Sequence, residues 1–241
     1  MKKLQKTSEL LWLLGVVFVA IGVAICSKAN LGVSMIAAPA FILSEALLPV
    51  GSFFSVGVVE YINQAIILIV LCIIIRKFNW KYLLAFAVAV MYGYVLDFFL
   101  WVFKDVTFDQ LWLQWVMLLV GDVLVAFGVA CFFRTYLPKK VYELFVGEVV
   151  KTFGWNINKT KWWFDITLLG ISITMALTLF GDVTTFDWSQ IGTTAFHNIG
   201  LGTFVTTAIN APIIKWAGKL LDSITDATPC FEKVAEFMKK D

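Results

Sequence analysis

The sequence predicts an all-α, polytopic membrane helical bundle: six transmembrane helices as two inverted three-helix repeats, each with a short interfacial or re-entrant helix. Three observations carry that expectation. Of the 241 residues, 60% are hydrophobic and 15% charged, whereas a water-soluble domain carries about a quarter charged residues. Six apolar runs are each long enough to cross a bilayer as a helix. Lys and Arg gather in alternate connections, as the positive-inside rule requires.

The runs fall at 10–27, 53–75, 82–103, 111–133, 162–180 and 190–214. Lys2, Lys3 and Lys6 precede the first, an order that also suits a signal peptide. No small-x-small cleavage pattern follows at Ser27-Lys28-Ala29-Asn30, so this run is expected to stay as the first helix. Arg76, Lys77 and Lys81 follow the second run; Arg134, Lys139, Lys140, Lys151, Lys159 and Lys161 follow the fourth; Lys239 and Lys240 close the chain. The remaining connections hold Lys28 alone, Lys104 beside Asp105 and Asp109, and Asp182 with Asp187 and no base. Both termini are therefore expected in the cytoplasm, with the chain in the cytoplasmic (inner) membrane.

Residues 32–50 and 141–155 are short, and counting either as a crossing breaks the charge alternation. The first is expected at the outer face and the second at the inner face, either flat in the interface or re-entrant. Pro39 and Pro49 interrupt the first. In the second, Val141, Leu144, Phe145, Val149 and Phe153 form an apolar stripe against Glu143, Glu148 and Lys151.

Sliding the chain on itself by 106 residues sets 15–31 against 121–137 with eight of seventeen positions identical. Gly15, Gly22 and Ala24, for example, recur as Gly121, Gly128 and Ala130. Each copy is followed by a short segment, a span with an acid near its start (Glu60, Asp165) and a last span. An odd number of spans per copy inverts the second, the arrangement common among secondary transporters. One transmembrane unit over 1–241 is expected: a first repeat over 10–103, a second over 111–217 and a cytoplasmic tail over 218–241.

Acids inside such runs are costly in lipid, so they turn inward, pair or protonate, and they often mark an ion or substrate path. Glu60 stands seven residues and Asp97 six residues inside the outer ends of their spans, and His197 is seven residues into the sixth. All three are thus expected roughly 10 Å below one boundary. Asn63 and Gln64 follow Glu60 at one helical turn, and Asp122 is eleven residues into the fourth span. Simpler roles compete: Glu60 with Gln64 as an interhelical clamp, and Asp97 paired with Lys215 or His197. Asn210 with Pro212 breaks the sixth span as an ion ligand, a hinge or a plain kink. Asp165 and Lys215, near inner span ends, are expected to be structural.

With 19 basic against 17 acidic residues and no basic tract, nucleic-acid binding is excluded. Cys26, Cys72, Cys131 and Cys230 lie too far apart for a metal or redox site. Walker, HExxH, GxSxG and CxxC motifs are absent, so neither a cofactor nor a metal is expected, and the chain is not expected to be an enzyme. Most of the ten Trp fall near span ends, as an aromatic belt does.

At GVAICSKANLGVSMIAAPAFILSE (22–45), VEYINQAIILIVLCIIIRKF (59–78) and YGYVLDFF (92–99) the chain resembles the bacterial YczE/YyaS/YitT-like integral membrane proteins, and most closely a branch of unknown function. The resemblance continues through the Asp165 span and GLGTFVTTAINAP (200–212). It implies a multi-span helical bundle suspected of transport, with no substrate to carry over. Where members tend to have glycine before the last helix-end motif, this chain has Asn210-Ala211-Pro212.

The reading is a secondary transporter (permease) of a small solute, lined by Glu60, Asn63, Gln64 and Asp97 from the first half and Asp122, His197 and Asn210 from the second. The excess of acids among these residues favours a cationic solute or coupling to protons or sodium. The alternatives are a non-transporting partner subunit docking through Ala20 and Ala24, and a lipid-handling protein. Expected partners are membrane lipids and a small-molecule or ion substrate, with a homo-oligomer or a partner membrane subunit left open.

Overall fold

Eight helices carry the fold of the computed structural model, which describes residues 5–180, 195–231 and 235–236. They are α1 (Ser8–Lys28), α2 (Ala38–Leu47), α3 (Val56–Ile75), α4 (Lys81–Val102), α5 (Leu111–Phe132), α6 (Val141–Phe153), α7 (Ile157–Phe180) and α8 (Leu201–Ile224). Among the described residues there is no strand. Five helices, α1, α3, α4, α5 and α7, are long and apolar enough to cross a membrane. The charge clusters at Lys2 and Lys3, at Asp182 and Asp187, and at Lys239 and Lys240 lie outside the described residues.

Helix ends follow local chemistry. Ser55 starts α3, its Oγ accepting from the Val58 N–H at 3.3 Å. Pro39 sits in the first turn of α2, where a missing N–H costs nothing, and Pro49 lies past that helix's end. Gly154 ends α6 in the left-handed conformation, φ +67°, with its N–H returned to Val150.

Of the run expected at 190–214, residues 190–194 lie outside the described residues, and the helix in its place, α8, starts only at Leu201 and is not among the five. Before α8, Phe196 and Ile199 exchange backbone hydrogen bonds at 2.7 and 2.8 Å across a tight turn, and His197 and Asn198 take φ +43° and +68°. His197 therefore lies in a turn and not inside a helix. The helix then runs past 214 to Ile224. Its added polar end is held by Arg134, which donates to both carboxylate oxygens of Asp222 at 2.6 and 2.7 Å.

Helices α1 and α5 run antiparallel at very close range. A Cβ on Gly22 would lie 2.5 Å from the Gly121 carbonyl oxygen, and one on Gly15 would lie 3.0 Å from that of Gly128. Only glycine lets the two backbones meet there. Around this pair α4 packs on α1 and α3, α8 on α5, α2 on α3 and α7, and α6 on α3, α4 and α7. Ala20 and Ala24 are completely buried, so the small-residue face of α1 is closed within the chain. It offers a partner no surface.

Helix α6 begins halfway along α3. The Val141 N–H donates to Gln64 Oε1 at 3.1 Å, and Gln64 lies eight residues into α3, about 12 Å from its start. At the other end, Tyr82 beside the start of α4 donates to Glu148 Oε2 at 2.8 Å. The short helix thus runs from the middle of the bundle to one end.

Candidate functional site

Glu60 and Gln64 share one face of α3 because i and i+4 lie one turn apart. They are 3% and 0% exposed. Gln64 Nε2 donates to Glu60 Oε1 at 3.1 Å, and the Tyr142 hydroxyl donates to Glu60 Oε2 at 3.1 Å. Both carboxylate oxygens are occupied. The Tyr142 hydroxyl is the donor of this pair and the Glu60 carboxylate the acceptor.

Lys140, at the N-cap of α6, is 5% exposed, with its ammonium 4.1 Å from the centre of the Tyr92 ring and 5.9 Å from that of Tyr142. These are cation–π distances. Lys140 acts electrostatically on Glu60, yet among the described residues the two form no ion pair. Asn63 from α3 and Glu143 from α6 each bring a buried polar atom without a hydrogen-bond partner, Nδ2 and Oε2 respectively.

A second constellation joins α5 to α8. Asn210 Nδ2 donates to Asp122 Oδ1 at 2.8 Å, while Asp122 Oδ2 is buried without a partner. Asp122 is 2% exposed. Pro212, inside α8, has no N–H to give the carbonyl of Ala208 one turn earlier. The free Asp122 Oδ2 is a hard oxygen of the kind that holds a proton or a sodium ion.

The structure therefore brings together Glu60 with Gln64, places Asn63 beside them on α3, and pairs Asp122 with Asn210. It does not bring Asp97 or His197 to Glu60. Asp97 accepts from Ser55 Oγ at 2.6 Å and from the Gly57 N–H at 2.7 Å, so it caps the start of α3 from α4. His197 Nδ1 lies 2.8 Å from Glu45 Oε1, and its ring stacks on Phe180 at 3.6 Å. Both expectations assumed equal depth inside straight spans, and the turn before α8 removes that basis for His197. Asp165 pairs with Lys161 one turn away at 2.9 Å.

Sequence reasoning missed Tyr92, Lys140, Tyr142 and Glu143. Lys140 was counted among the basic residues of a connection. The usable signal was the absence of Ser, Thr, Asp or Asn at 139–141 before a clear helical stripe, which leaves a helix start to be satisfied by something else. The acid excess expected around Glu60 is also offset, since the positive charge of Lys140 acts on it.

A family of unknown function (DUF6198) matches residues 6–219, and the chain belongs to that family. The match does not reach the narrower YczE/YyaS/YitT-like grouping. Neither a curated protein nor a solved structure matches the chain.

Proposed function

We propose that this member of the family is a secondary transporter of a small polar solute, working by alternating access between two inverted three-span halves. The observation that carries the reading is the buried group where α6 begins. Glu60, Gln64, Tyr142 and Lys140 meet about halfway along a helix long enough to cross the membrane, and Asn63 and Glu143 leave a donor and an acceptor unfilled. Ionisable groups at that depth are costly in a protein that only has to pack. A short helix starting in mid-bundle is the broken-helix device by which transporters form sites.

The helix contacts agree with inversion. Shifting by 106, forward from the first copy and back from the second, turns the pair Gly15–Gly128 into Gly121–Gly22, and both pairs are in contact. The contacts of α2 with α7 and of α6 with α3 exchange in the same way. This is the behaviour of two copies related by a two-fold axis between α1 and α5. In this reading α8 is the sixth crossing, both termini face the cytoplasm, and α6 enters from the cytoplasmic side. Asp122 with Asn210 is the coupling site, taking a proton or sodium.

The test is exchange of labelled metabolites, cationic, anionic and neutral, across liposomes containing the purified protein. At least one solute should exchange faster than in empty liposomes. Glu60→Gln should cut that rate at least tenfold, and Asp122→Asn should remove its dependence on a proton or sodium gradient. Exchange equal to empty liposomes throughout, or unaffected by Glu60→Gln, would overturn the reading.

A further inference from the structure

Asp122 is a buried acid with no charge to balance it. It is the one charged residue of α5 and is 2% exposed, and among the described residues no charged side chain acts on it electrostatically. Among the described helices α1 and α8 alone pack on α5. From α1 the titratable group that feels Asp122 is the Cys26 thiol, which donates to the Leu118 carbonyl at 3.6 Å. From α8 comes Asn210, whose Nδ2 donates to Asp122 Oδ1 at 2.8 Å; the charged side chains of α8, Lys215, Lys219 and Asp222, begin more than a turn later. Thr206, one turn before Asn210 and itself 2% exposed, gives its hydroxyl proton to the Gly202 and Thr203 carbonyls. Asp122 Oδ2 is left buried with no donor.

Packing does not call for this acid. The offset of 106 residues puts Val16 in the place of Asp122, and Val16, 1% exposed, fills the matching register of the α1–α5 contact with an apolar side chain. An ionised carboxylate so buried, with no cation and only one donor, is costly enough to take up a counter-charge. A sodium ion in such a bundle draws its ligands from unwound backbone, whereas α1 and α5 are unbroken helices at this level. A proton needs neither a cage of oxygens nor a space to occupy. It also completes the pair with Asn210. Once Oδ2 carries a hydrogen it becomes a donor, and the amide that already donates through Nδ2 brings its carbonyl Oδ1 as the acceptor. Carboxylate and amide make one hydrogen bond; acid and amide close two. Resting on the reading of this pair as the coupling site, we propose that the coupling ion is a proton, taken up on Asp122 Oδ2 from one side of the membrane and released to the other. Asn210 is the positioning residue that bonds to both forms.

Infrared spectra of the full-length protein, titrated with acid and base in a detergent free of ester groups, test this in sodium chloride and again in choline chloride. A carboxylic-acid C=O band that is lost in Asp122→Asn and kept in Glu60→Gln should grow as pH falls and fade as it rises, equally in the two salts. Asn210→Leu should shift the frequency of that band, which a packing role for Asn210 alone would not do. Should Asp122→Asn not fold, Asp122→Glu, which moves the band without removing it, makes the assignment instead. A band that sodium chloride suppresses and choline chloride does not would overturn the proton in favour of sodium. No Asp122 band at any pH, or one that never fades, would overturn a carboxyl that takes up and releases a proton. None of these results touches transport, which stands or falls on solute exchange in liposomes and its loss in Glu60→Gln.

Discussion

Gln64 Oε1 accepts the N–H of Val141 at 3.1 Å across 77 residues of chain. One amide side chain thereby fixes where a short helix begins relative to a long one, and through Nε2 it also holds Glu60.

Gln64→Leu should therefore remove two buried hydrogen bonds and leave both Val141 N–H and Glu60 Oε1 unmatched. The expected loss is about 1–3 kcal/mol for each group left unsatisfied, read as a lowered melting temperature in detergent. Gln64→Glu, which keeps an acceptor for Val141 but loses the donor to Glu60, should be no better tolerated because it sets a second carboxylate against the first.

The close approach of α3 to α4 rests on Gly57 and Gly93, since a Cβ on Gly57 would collide with the Gly93 carbonyl oxygen. Gly57→Ala should sharply reduce the yield of folded protein, because backbone has to move. Gly147→Ala and Gly170→Ala meet nothing within 4 Å and should be neutral or slightly stabilising, as alanine is in helices. Size-exclusion profiles of the three variants make the comparison.

Asp97 is assigned to capping and not to the solute path. Asp97→Ala should cost about 1 kcal/mol through the lost cap and leave solute affinity within a few-fold of wild type, whereas Glu60→Gln should change affinity. Melting curves with and without a stabilising solute separate the two effects.

The segment after α8 is tied to the start of α1: Glu9 accepts from the Tyr136 hydroxyl at 2.6 Å, the Cys230 N–H at 2.9 Å and the Phe231 N–H at 3.1 Å. Burial, and then the bond to Glu9, push the Tyr136 phenol up to about 12. Its protonated form is favoured when docked. The contribution to docking is thus fully present below the ordinary tyrosine value of about 10 and is lost as pH rises through about 12. Anisotropy of a fluorophore on the exposed, free Cys230 should fall across that window, and Tyr136→Phe should abolish the step.

Much of this architecture was legible in composition and charge. The expected runs at 53–75, 82–103 and 111–133 match α3, α4 and α5 within three residues at each end, because long apolar runs bounded by Lys, Arg and Asp leave little freedom. The sixth run was misplaced because hydrophobicity cannot register a turn such as 196–199, closed by two backbone bonds. Glu60 with Gln64 was legible from i,i+4 spacing on one helix. The pairing of Asp122 with Asn210, and the entry of Lys140 and Tyr142 into the same group as Glu60, depend on how distant helices pack. Periodicity carries no such information, and a lysine beside a span reads as a topology marker whether its ammonium faces water or an aromatic ring.

Access to the α6 start from both faces of the membrane is the central claim, and thiol labelling tests it most directly. Asn63→Cys and, separately, Glu143→Cys would be made with Cys72→Ser and Cys230→Ser, since the other two cysteines, Cys26 and Cys131, are buried. In right-side-out and inside-out vesicles, a membrane-impermeant maleimide should label at least one of these positions from either face, and a transported solute should slow the reaction. Labelling of both positions from one face only, or from neither, and unaffected by any solute, would contradict an alternating-access site.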